Sequence, residues 1–115
     1  MRSSVRRALL VVLVGCASVA LAVTVEEIEQ RANALHAEYQ ELGERIEGCP
    51  DGTCPSAMSI VADFDAAELD RATLHADRNT LNPCSTCHGA DYTLSQIDSE
   101  AVTLGAVIVS WDDGS

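Results

Sequence analysis

The chain has 115 residues and a formal net charge of −11, with 18 acidic side chains, seven arginines and no lysine. That length holds one small domain, and so acidic a balance excludes a surface built for nucleic acid or anionic lipid. The charge is uneven: Arg2, Arg6 and Arg7 open the chain, while every carboxylate lies from Glu26 onward. Beyond residue 22, four arginines face 18 carboxylates, a net charge of −14. Such a surface is either plain solvation or favours a partner with a basic docking face. Tyr39, Phe64, Tyr92 and Trp111 are the only aromatics, so a core must be built mainly from Leu, Ile, Val and Ala.

Residues 1–22 have a basic start, an apolar run from Ala8 to Val19, and the small-residue end Ala20-Leu21-Ala22. This is the pattern of a cleaved export signal, leaving a mature domain over 23–115 in the periplasm or otherwise outside the cytoplasm. Two alternatives share that destination. Leu13-Val14-Gly15-Cys16 resembles the lipobox of bacterial lipoproteins, which would put a lipid on Cys16. A retained membrane anchor is the other, since the stretch from Ala8 to Val25 approaches the minimum apolar span of a bilayer.

From Thr24 the pattern turns helical. Thr24 and Glu27 have the spacing of a capping box, and Ile28, Ala32, Leu35, Tyr39, Leu42 and Ile46 recur at intervals of 4, 3, 4, 3 and 4. Gly48 is the expected stop. This seam packs inside a small bundle or, alternatively, pairs with a second copy. His36 lies beside it, as an ordinary helical residue or as a ligand. In Cys49-Pro50-Asp51-Gly52-Thr53-Cys54, the Pro-Asp-Gly turn brings the flanking cysteines close enough to form a disulfide between Cys49 and Cys54. The competing arrangement is a zinc site in which these two join Cys84 and Cys87.

Met58, Val61 and Phe64 have helical spacing, and a further helical run begins at Asp63 or Asp65. Its expected inner face is Ala66, Leu69, Ala72, Ala76 and Leu81, with Leu74 to one side; Asn82-Pro83 ends it. Ala90 to Leu94 read as a loop. A closing helix from Ser95 has Ile97, Ala101, Leu104, Ile108 and Trp111 at intervals of 4, 3, 4 and 3, with a strand over 107–109 as the alternative. The expected class is all-α, a bundle of three to four helices with a short disulfide-closed loop.

Between the last two runs lies Pro83-Cys84-Ser85-Thr86-Cys87-His88-Gly89. Two thiols three positions apart, with an imidazole directly after the second, can add to the two vinyl groups of a haem and bind its iron. The other readings are a redox dithiol, half of a zinc site, or a purely structural pair. The segment resembles the attachment site of c-type cytochromes. That resemblance implies one covalent haem c held by Cys84 and Cys87, with His88 as proximal iron ligand, the haem completing the bundle core. It further implies a single-haem electron carrier that meets a redox partner protein and is not an enzyme.

No Met or His follows His88, so a second iron ligand must come from earlier in the chain. His75, nine residues before Cys84, is the first candidate, Met58 the second and His36 a third. An open iron face would instead suit a haem sensor or a peroxidase-like protein. A disulfide- or zinc-stabilised helical binding module without redox function is the alternative from another class. No arrangement of residues for hydrolysis stands out.

Overall fold

The computed structural model describes residues 23–112. The leader expected over 1–22, Cys16 within it, and residues 113–115 lie outside the described residues. Three helices make an all-α bundle: α1 (Val25–Glu47), α2 (Ala57–Asn79) and α3 (His88–Asp112). Cross-links fix their directions. Arg31 pairs with Asp77 and Arg45 with Asp63, so α2 runs antiparallel to α1. Gly89 approaches Glu29 and Gly43 approaches Leu104, so α3 runs parallel to α1. α1 packs against both others, whereas α2 and α3 meet each other least.

α1 begins where local chemistry tells it to. Thr24 Oγ1 accepts from the Glu27 N–H at 3.1 Å, and the Thr24 N–H donates to Glu27 Oε1 at 3.1 Å, satisfying two amides that the first turn leaves unpaired. At its end the Gly48 N–H bonds back to Glu44 and Ile46. All six residues of the apolar seam, Ile28 to Ile46, are buried between α2 and α3. The surface suggested for self-association is therefore used up within one chain.

The linker to α2 is closed by a Cys49–Cys54 disulfide with a Cα–Cα distance of 5.3 Å. Restricting so short a loop in the unfolded chain is worth about 2 kcal/mol. Gly52 takes φ +71°, a left-handed conformation that costs other residues strain, and its open α-face lies against the Trp111 ring.

α2 is a single helix of 23 residues rather than two runs, and its inner face differs from the expected one. Ile60, Phe64, Ala67 and Leu74 are buried, while Ala66, Leu69, Ala72 and Ala76 face solvent, Leu69 with 72% of its surface exposed. The inward positions 60, 64, 67, 71, 74 and 78 keep the 4, 3, 4, 3, 4 rhythm, but two of them are Arg71 and Arg78. Charge in the seam hid it from a count of apolar residues.

α3 starts at His88, seven residues before the expected Ser95, because the Cys87 carbonyl accepts from the Asp91 N–H at 2.8 Å and opens the first turn. Ala90 and Leu94 extend the buried line of Ile97, Ala101 and Ile108, with Leu104 and Trp111 half-buried, and residues 107–109 are helical. Near the middle, the Tyr39 ring meets Phe64 edge to face at a centroid distance of 6.1 Å.

Replacing Gly52 with alanine should cost about 1–3 kcal/mol, because the new methyl group meets Trp111 and the backbone stays left-handed. Urea unfolding of the variant beside the parent measures this, and an unchanged midpoint would contradict the packing.

Candidate functional site

The cysteine-histidine segment sits where α2 ends and α3 begins, beside the first turns of α1. Asn79, the last residue of α2, is followed by a run of turns held by Thr80, Leu81 and Asn82 amides bonding back to Asp77, Arg78 and Asn79. Cys84 and Cys87 lie in the turn leading into α3, not on one helical turn with His88. They are bonded to each other, with Cα atoms 5.7 Å apart. Cys87 is fully buried, Cys84 half-buried, and His88, the first residue of α3, is exposed.

Arg78, one turn after His75 on the facing helix, ties α2 to this end of α3, whereas His75 itself is bonded to Asp98, about 15 Å along α3 from His88. The link is Asp91, one turn after His88, whose carboxylate accepts from Arg78 Nε at 2.6 Å and Nη2 at 3.0 Å. That guanidinium holds the Asp91 carboxyl below its usual range. Met58 does not share this neighbourhood. It opens α2, about 30 Å of helix away, and is 84% exposed rather than packed beside Phe64. His36 lies against Glu100, Nε2 to Oε2 3.6 Å, about 18 Å along α3 from His88.

The zinc arrangement of four thiols is overturned by the same layout: Cys49 and Cys54 stand at one end of α2, Cys84 and Cys87 at the other. Among the described residues no cluster of three His, Cys, Asp or Glu side chains could hold a metal ion.

Counting apolar residues missed the charged partners of His75. Its Nε2 donates to Asp98 Oδ1 at 2.9 Å, and Arg71 Nη1 donates to the same oxygen at 2.8 Å. Arg71 also grips Glu68 through Nε and Nη2 at 3.2 and 2.9 Å, and Glu68 in turn accepts from the buried Tyr39 hydroxyl. Five side chains thus join all three helices. The signal was present as Arg71 at a seam position. Burial pushes the Asp98 carboxyl up, but hydrogen bonds from His75 and Arg71 outweigh it and hold that group low. Arg71 lowers Glu68 against a smaller effect of burial. Burial, then the bond to Glu68, pushes the Tyr39 phenol well above its ordinary value.

The residues fit a covalent haem in donor chemistry: two thiols at the right spacing and an accessible imidazole beside them. A sulfur bonded to its neighbour cannot also form a thioether, so attachment and the Cys84–Cys87 bond exclude each other, and the dithiol is the competent form. No protein-family model, curated protein or solved structure matches the chain. No helix of the described residues is long and apolar enough to cross a membrane.

Glu68, Asp91 and Asp98 all have lowered folded-state pKa values, so the stability they confer is full above the ordinary carboxyl range and is lost as pH falls through their folded values. The melting temperature should therefore be level from about pH 7 to 5 and drop below about pH 4. The drop should be shallower in D98N, which has one fewer such group. Thermal melts across the range check both, and a flat profile down to pH 2 would count against the network.

Proposed function

We propose that the chain is an exported, single-haem electron carrier of the c-type cytochrome kind. The observation that carries the reading is His88, an accessible imidazole opening α3 directly after a cysteine pair. In this reading Cys84 and Cys87, as free thiols, anchor the haem, and His88 is the proximal ligand. His75 would be the second imidazole for that haem, and to reach it the side chain would have to leave Asp98, about 15 Å along α3 from His88. When bound, the haem supplies a one-electron change at iron.

The chain itself supplies position and field. Arg78 holds Asp91, one turn after His88, and Arg71 holds Asp98, the partner of His75. All four arginines beyond residue 22 are in ion pairs with carboxylates, so the surplus negative charge faces outward and would steer a basic redox partner. Export rests on the leader pattern of residues 1–22.

A second reading is favoured by the Cys84–Cys87 bond itself: a thiol-disulfide exchange centre. Cys84 is the more accessible sulfur, and both precede a helix N-terminus, where a thiolate is stabilised.

Produced in a host equipped to attach haem to exported proteins, the purified chain should be coloured. The pigment should stay with the polypeptide through acidic organic-solvent extraction, and it should be absent from a C84A/C87A variant. A colourless product whose two thiols appear only after reduction would overturn the haem reading and select the exchange centre. Given a coloured product, H75A should change a low-spin spectrum to a high-spin one; an unchanged low-spin spectrum would remove His75 from the iron.

A further inference from the structure

Between Ala101 and Trp111 the chain carries no charged residue, the longest such stretch within any helix of the described bundle and about 16 Å in length. The core takes only part of it. Ala101 and Ile108 are buried, while Val102 is 73% exposed and Val109 59%, and with exposed Ala106 they sit at spacings of 4 and 3 along one outer ridge of α3. An open groove lies between this part of α3 and each of the other helices, and none of the three ridge residues lines either. Towards α1 it is about 710 Å³, reaching Gly43, Leu104 and Val107, where the missing glycine side chain leaves room. Towards α2 it is about 420 Å³, reaching Met58, Val61 and Trp111, and it opens because α2 and α3 meet so little.

The edges of this apolar relief are acidic. Glu44, Glu47 and Glu100 line the first groove and Asp65 the second. No arginine lines either groove, and the four arginines of the described residues are all committed to ion pairs elsewhere. Glu100 adds a specific demand. Its Oε1 is buried and accepts no hydrogen bond, while its other oxygen has only His36 at 3.6 Å.

We propose that this ridge and the groove beside it towards α1 are a docking surface for a cationic amphipathic helix of another protein, aliphatic on one face and bearing Lys or Arg on its flanks. Aliphatic residues at i, i+3, i+4 and i+7 would cover the ridge, and the flanking cations would meet Glu44, Glu47 and Glu100. A second copy of this chain is a poor occupant, because it brings a net charge of −11 against the same charge. An anionic bilayer is repelled for the same reason. The surface lies at the far end of α3 from His88, so it is separate from the proposed redox end and does not depend on it.

The test is calorimetric titration of the purified chain with a synthetic 18-residue helix of leucine and lysine in that spacing. A matched peptide with glutamate for lysine is the control. Binding at one to one is expected, weakening about tenfold or more between low and moderately high salt. V102E/V109E, altered only at exposed positions, should bind at least about tenfold more weakly with its melting temperature unchanged, and E44Q/E47Q should lose most of the salt dependence. The proposal is overturned by absence of binding, or by equal binding to V102E/V109E, which would mean charge attraction alone. Concentration-dependent dimers in sedimentation that V109E abolishes would also overturn it, assigning the face to a second copy.

Discussion

Arg71 is the residue on which the arrangement of three helices turns. It stands in the middle of the inward line of α2, between Ala67 and Leu74, where an apolar residue would ordinarily lie. A guanidinium there must be answered, because a half-buried charge without partners is costly. Glu68 on its own helix and Asp98 on α3 provide the answer, and Glu68 carries the link to Tyr39 on α1. Apolar seams tolerate sliding by one turn; a fork of fixed hydrogen-bond geometry does not. The network therefore sets the register of the bundle and, through Asp98, the position of His75.

Two disulfides punctuate the fold at its two ends, and they differ in kind. Cys49–Cys54 closes a turn on the far side from the imidazoles and restricts the unfolded chain. Cys84–Cys87 closes the turn in front of α3, with one sulfur buried, the other partly accessible and an exposed histidine next in the chain. Both redox readings of that end, haem attachment and thiol exchange, begin from the same reduced pair. The choice between them is a choice of what meets the sulfurs first.

The surface is divided as sharply as the interior. Around most of the bundle, carboxylates outnumber the four arginines, and each arginine is drawn into an ion pair that ties helices or turns together. From Ala101 to Trp111 α3 lacks charge, and there aliphatic side chains stand in solvent beside acidic edges. A patch that stays apolar in so acidic a chain has a reason other than solubility.

What the sequence by itself determined is what a few neighbouring residues can decide. The start of α1 follows from Thr24 and Glu27, its buried face from an unbroken apolar rhythm, and the Cys49–Cys54 loop from a tight turn between two thiols. The all-helical class followed from the same periodicity. The inner face of α2 was decided only in three dimensions, since Arg71 and Arg78 become inward residues once carboxylates from α3 arrive to meet them. The early start of α3 was also tertiary: Ala90 to Leu94 read locally as a loop, yet Ala90 and Leu94 gain burial against the bundle by continuing the helix. Likewise the pairing of His75 with Asp98, and the placing of Met58 at the far end of α2 from the cysteine-histidine turn, came from the antiparallel return of α2. Hydrogen bonds and periodicity act over one or two turns of a helix, whereas a charged side chain finds its place only when its partner is brought from elsewhere in the chain.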